Sequence, residues 1–294
     1  MEDGVVCPPV LRKGLFTTSA MDNIDHNPTA TTATTSFHGT SISVFQHPTK
    51  ESKGEERGQL KCREQKVKTV PELPDSFTNV WPAFFTKKKP SPPKESVVLV
   101  DTSSLLKPQL AMEYEWLDKV TLTDGPVDVT WSAHHASQRR GKPFEVSISS
   151  LLPLLRDQVH SIATVEHVMD KIREIVAFLN PSQVPIIAAD QPIYAVAKQV
   201  QWHWPEFYGE DKFVIMFGGL HIEMAALKSI GTLLRDSGWT GVLVEAGIAS
   251  PGTADSFLTA SSITRTRQMH QITACSLYKL LKAAYTDYLK ETEE

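Results

Sequence analysis

Apolar and polar residues alternate over Thr40-Ser41-Ile42-Ser43-Val44-Phe45-Gln46 with the period of two that marks a strand with one buried face. A second β-like run, Leu15 to Met21, precedes it. Between them lie Asp22-Asn23-Ile24-Asp25-His26-Asn27-Pro28 and a Thr/Ala tract ending in Ser36-Phe37-His38-Gly39. Asn-Pro and His-Gly are turn signals, so residues 1–47 predict a strand, a long connection and a strand. The period then changes. From Ala163 to Asn180, the residues Val165, Val168, Met169, Ile172, Ile175, Val176 and Leu179 recur at spacings of three and four, which places them on one helix face. Asn180-Pro181 ends that helix. Val184-Pro185-Ile186-Ile187-Ala188-Ala189 reads as a short apolar strand ending at Asp190. A helix with Pro192 in its first turn follows, carries Tyr194, Ala197 and Trp202, and stops before Pro205. Phe213 to Phe217 is the next strand, then Gly218-Gly219, then a helix from about His221 to Arg235. Val97 to Val100 reads as a short buried strand, 112–120 as weakly helical and 262–290 as one long helix. Strands alternating with helices predict parallel neighbours and an α/β layered fold.

Charge adds a local feature to this pattern. The chain has 294 residues, 30 Lys and Arg against 34 Asp and Glu, and 41% apolar residues, enough for a core. A net charge of −4 excludes a protein that is basic all over, yet a basic stripe is still possible. Residues 48–94 supply one: 11 Lys and Arg oppose 6 Asp and Glu, with Lys87-Lys88-Lys89 among several prolines. This stretch reads as a flexible, basic, Pro-rich insertion, with Trp81-Pro82-Ala83-Phe84-Phe85 suited to docking. The expected division is therefore 1–47 for the first strands, 48–94 for the insertion and 95–294 for the rest of the core. No apolar run approaches the ~18 residues of a membrane span. The opening MEDGVVCPPVLRKG lacks the apolar stretch of a secretion signal. Three distant cysteines, Cys7, Cys62 and Cys275, exclude a disulfide scaffold and suit a reducing, intracellular compartment, nuclear if DNA is the partner.

Strand-end polar residues mark the usual crevice of an α/β sheet. Asp190 directly follows an apolar strand, where a carboxylate is a helix cap, a ligand, or both. Asp22 and Asp25 follow the first run, as ligands or as an Asx-turn cluster. Carboxylates meeting from separate strand ends suit Mg²⁺ or Mn²⁺ and phosphodiester chemistry. His221, early in the helix after Gly218-Gly219, is either a site residue or a packed or capping histidine. His134-His135 lack the further ligands that zinc requires. Trp202-His203-Trp204 reads as core or a docking patch before it reads as a base-stacking platform. Lys87, Lys88, Lys89, Arg265 and Arg267 are the cations placed to meet DNA phosphates, the alternative being a solvated insertion and a solvated helix end. No phosphate-loop fingerprint and no nucleophile elbow is present.

The segments Gly14–Gln46, Val184–Gln201 and Phe213–Gly231 resemble a group of multi-copy, mobile-element-type animal proteins. Their Asp22-Asn23-Ile24-Asp25, Asp190-Gln191 and strand–glycine–histidine–methionine patterns are similar to wider transposase-like families with an RNase H-like core. The resemblance implies an α/β fold with a mixed sheet, flanking helices, a polar insertion and a long C-terminal helix. It also implies an acidic triad: an Asp on the first strand, an Asp ending the fourth, and a Glu on a later helix. Asp22 and Asp190 take the first two roles and Glu223, with Glu245 as alternative, the third. Asp22, Asp25 and Asp190 would hold Mg²⁺ or Mn²⁺, and DNA would be the partner. The expected activity is metal-dependent DNA cleavage or strand transfer; the alternative is an inactive, element-derived scaffold. The resemblance further implies sequence beyond both ends of the chain, which makes it an incomplete copy.

Overall fold

The structure is a computed structural model that describes residues 3–26, 37–58, 72–86, 101–122, 130–138 and 145–292. In chain order the described elements are β1 (Thr17–His26), β2 (Phe37–Gln46), α1 (Asp75–Thr78), α2 (Ser103–Leu122), α3 (Trp131–Ser137), β3 (Ile148–Leu151), α4 (Ile162–Leu179), β4 (Ile186–Ala189), α5 (Gln191–His203), α6 (Pro205–Tyr208), β5 (Val214–Phe217), α7 (Gly219–Leu234), α8 (Trp239–Glu245), α9 (Pro251–Thr259) and α10 (Ile263–Thr292). They divide into two compact units, residues 1–94 with 144–221 and residues 95–143 with 222–294.

The first unit is α/β. Its mixed sheet has the order β3-β2-β1-β4-β5. β1 pairs antiparallel with β2 from Thr17 opposite Gln46 to His26 opposite Phe37, and β3 pairs antiparallel with β2. β4 runs parallel to β1, with Ser19 beside Ile187 and Met21 beside Ala189. β5 runs parallel to β4, from Ile186 beside Val214 to Ala189 beside Phe217. Met21, Ile42, Val44, Ile187 and Ala189 enter one buried cluster with the predicted stripe of α4. Burying each such aliphatic side chain contributes about 1.5–3 kcal/mol, so packing rather than propensity holds α4 in place. Ser161 caps α4 by accepting from the Thr164 amide. The other sheet face, with Ala20, Asp22, Ala188, Val214 and Met216, is partly or fully exposed.

β1 runs through Asp22 to His26, where a turn was expected. Asn23 and Asp25 are turn formers, but the ladder to residues 37–41 of β2 continues opposite them, and pairing overrides a weak local preference. At the other end of β1, glutamine side chains stand in for missing backbone. Gln183 accepts from the Thr17 amide at 2.8 Å and donates to the Thr17 carbonyl at 2.5 Å. Buried Gln46 does the same for Arg12, at 2.8 Å in both directions.

Part of the 48–94 stretch is bound to this unit. Lys13 and Glu55 form an antiparallel bridge. Arg57 donates to the Pro8 and Leu11 carbonyls and lies over the Phe178 ring. Phe77 is buried, and Phe85 stacks on His203 at 4.0 Å, while Trp81 and Phe84 are exposed. Lys87, Lys88, Lys89 and the Val97–Val100 run lie outside the described residues.

Helices make up the second unit: α2, α3, α7 from Ile222 onward, α8, α9 and α10. Leu243, Phe257 and Met269 form its small core. Gly231 of α7 lets the Leu258 carbonyl of α9 approach so closely that a Cβ would sit 2.1 Å from it. Asp118 accepts from Tyr278 at 2.9 Å and from Lys282, tying α2 to α10. The His134-His135 pair lies in α3, capped by Thr130, and His134 is buried among Trp131 and its neighbours. No helix among the described residues is long and apolar enough to cross a membrane.

Two outcomes follow from these contacts. Gln183→Ala leaves both Thr17 backbone groups without their side-chain partner and is expected to lower stability by about 1–3 kcal/mol in urea unfolding; an unchanged midpoint would show that water replaces the side chain at no cost. His270 packs on Phe257 at 4.5 Å, and burial holds its imidazole below the usual histidine range. The native state therefore favours the neutral ring, while the unfolded chain takes up a proton near pH ~6.5. That contribution to stability is complete above pH ~6.5 and is lost as pH falls through the folded value. Thermal melts at pH 7.5 and 5.5 should show a smaller acid loss in His270→Gln than in the parent.

Candidate functional site

Strand register creates the site. Met21 lies beside Ala189 in the parallel β1–β4 pair. One residue further on come Asp22, midway along β1, and Asp190, directly after the end of β4. Side chains alternate along a strand, so both carboxylates project from the face opposite Met21 and Ala189. Their strands run about 4.8 Å apart. Asp22 is exposed, and its Oδ1 accepts from the Asn23 amide at 2.8 Å. The Ser41 hydroxyl donates to the Asp22 carbonyl at 3.1 Å, which fastens this point of β1 to β2. Asp190 is half-buried and caps α5: its Oδ1 accepts from the Ile193 amide at 3.0 Å. The two readings of Asp190, helix cap and strand-tip carboxylate, are therefore compatible, because one oxygen meets the helix and the other is not used by it.

The third strand end closes on the same edge. The Gly218 amide donates to the Ala189 carbonyl at 2.8 Å, and a Cβ at 218 would stand 3.1 Å from that oxygen. Glycine thus lets the end of β5 draw close beside Asp190. The His221 amide donates to the Gly218 carbonyl at 2.9 Å, and its ring stacks on Phe217 with centroids 5.9 Å apart. His221 is a packed residue of the α7 start.

Glu223 is engaged in an ion pair. It belongs to the second unit, where Arg267 of α10 grips it in a two-pronged ion pair, Nε to Oε1 at 2.6 Å and Nη2 to Oε2 at 2.5 Å. The guanidinium holds the Glu223 carboxyl below the usual range. Arg267 is likewise engaged, whereas Arg265 is exposed and makes no ion pair among the described residues. Glu245 is exposed at the end of α8. The side chain of Asp25 lies outside the described residues. Among the described residues, no group of three or more His, Cys, Asp or Glu is placed to hold a metal ion, so the described acidic site is a pair.

Beside this pair lies a groove of whose lining the sequence singled out only Trp202, as core, docking patch or base-stacking platform. Gln191, Tyr194, Ala195, Lys198, Gln199 and Trp202 of α5, with Phe217 at the end of β5, line a cavity of about 410 Å³. Their spacing of three and four along α5 was the available signal.

Comparison with known protein families gives a match. A family described as a domain of unknown function, DUF8702, matches residues 130–294, a span that includes Asp190, His221 and Glu223 and leaves out Asp22. No curated protein and no solved structure matches the chain. With more than half of its length covered, the chain belongs to the DUF8702 family.

Proposed function

We propose that the carboxyl edge of the β1–β4 pair binds a divalent cation and acts on nucleic-acid phosphodiesters, and that the first unit is an RNase H-like core of the transposase or nuclease type. The observation that carries this reading is the register, which pairs Met21 with Ala189 and so sets Asp22, within β1, beside Asp190, just past the end of β4. The family resemblance implies acidic residues on the first and fourth strands, and β1 and β4 are first and fourth in chain order and neighbours in the sheet. Two carboxylates a strand spacing apart repel each other, and a hard cation such as Mg²⁺ or Mn²⁺ relieves that repulsion. Bound there with a substrate phosphate, such a cation supplies an activated water or hydroxyl and stabilises the leaving oxygen. In this role Asp190 uses the oxygen that α5 leaves free. DNA is the proposed partner.

A second reading, an inactive element-derived scaffold, draws on the Glu223–Arg267 pair, which occupies the carboxylate expected to complete a triad. Thermal melting separates the two. Binding to the native state adds about 2.7 kcal/mol at a ligand concentration 100 times Kd. The catalytic reading expects a rise of several degrees in millimolar Mn²⁺ that Asp22→Asn and Asp190→Asn each abolish. Asn caps a helix as well as Asp does, so Asp190→Asn keeps α5 intact. A melting temperature indifferent to Mn²⁺, with no nicking of supercoiled plasmid, would favour the scaffold.

A further inference from the structure

We propose that the groove on the outer face of α5 receives an unpaired nucleobase of a single-stranded nucleic acid. The choice of nucleic acid rests partly on reading Asp22 and Asp190 as a phosphodiester site, because Gln191, the first residue of the groove, is bonded directly to Asp190. The shape and chemistry of the groove supply the rest. Ile193, Ala197, Val200 and Gln201 turn the opposite side of α5 into the core. That leaves Tyr194 and Trp202 outward, two turns apart, with the Phe217 ring 5.4 Å from that of Tyr194. The cavity, about 410 Å³, falls in the range of small-ligand sites. Aromatic walls of this kind stack on the face of a base, a contact that every base can make and that a base inside a duplex cannot offer.

The polar groups fit the edge of such a ligand. The side-chain amides of Gln191 and Gln199 have no hydrogen-bond partner among the described residues, and each carries both a donor and an acceptor. The indole N–H of Trp202 is covered by the protein, so that Trp202 offers the groove its ring. Lys198 lies over the Trp202 ring at 5.9 Å and is held by Gln201 at 2.8 Å and by Glu210. Its charge is thus mostly balanced within the protein, and the groove recognises a ring rather than a phosphate. An aliphatic ligand would fill the same space and leave the two amides without a match.

The test is fluorescence anisotropy with the full chain, a labelled oligothymidylate of ~15 nucleotides and EDTA throughout. Saturable binding is expected, weakened about tenfold or more by Trp202→Ala and by Tyr194→Ala and retained by Trp202→Phe. A duplex of the same length and an abasic strand should each bind at least about tenfold more weakly. If Trp202→Ala lowers the melting temperature, Tyr194→Ser at its half-exposed position carries the same comparison. Absence of binding, equal binding by the ring-deleted variants, or equal binding of the abasic strand overturns the proposal. Equal competition by a peptide rich in aromatic residues also overturns it. Asp190→Asn should leave this binding unchanged, so a failure of the groove and a failure of the metal site are read separately.

Discussion

Everything proposed for this protein depends on a short parallel contact. β1 and β4 share a register of only three residue pairs, from Ser19 beside Ile187 to Met21 beside Ala189. Side chains alternate with a period of two, so a slip of one residue would send Asp22 to the core face and Met21 to solvent. Burial of Met21 and Ala189 against α4 resists that slip from one side. Gln183 resists it from the end, by clamping both backbone groups of Thr17. Gln183 is itself fixed by Asn180, the residue that ends α4, through a bond of 3.1 Å. The helix terminus, the strand register and the pair of carboxylates thus form one chain of dependence within the first unit.

The two units meet different physical demands. The first has a large buried cluster and recruits segments from residues 3–15, 48–58 and 72–86 to close it, with Leu11, Phe77 and Arg57 as fastenings. The second has a small core and relies more on polar ties: Asp118 with Tyr278 and Lys282, Glu223 with Arg267, and the Trp239 indole donating to Thr273 at 2.8 Å. Exposed ion pairs contribute little each. Close contacts such as Gly231 against Leu258 therefore weigh heavily in holding those helices together.

Long, strongly periodic segments were legible in the sequence. The α4 stripe, the apolar strand tipped by Asp190, the Phe213–Phe217 strand and the long α10 all stand where the pattern put them, because a buried face imposes its period on the residues that form it. Shorter elements were not. β3 is Ile-Ser-Ser-Leu, and it is a strand because β2 pairs with it. The helical state of His134 and His135 depends on the Thr130 cap and on burial beside Trp131. Nothing in the local pattern near residues 95 and 222 announces that the flanking stretches join a separate unit. Of the site, the sequence could nominate Asp22 and Asp190 as carboxylates at strand ends, yet β1 runs on past Asp22, and only the order of strands shows the two to be neighbours. It could nominate Glu223, yet not the arginine 44 residues away that engages it.

The order of the strands also bears on how this protein behaves among other chains. Both borders of the described sheet, β3 and β5, are four residues long, and the ten-residue β1 and β2 lie between them, with β3 paired to Ser43–Gln46 of β2 and β4 to Ser19–Met21 of β1. An unpaired strand edge is a template for adding further strands, and the hazard grows with its length and flatness. Each of these borders offers a growing aggregate only a brief foothold, while β1 runs on from Asp22 to His26 past its pairing with β4. Short borders thus guard β3 and β5 against edge-to-edge polymerisation even though one face of the sheet still carries apolar side chains into solvent.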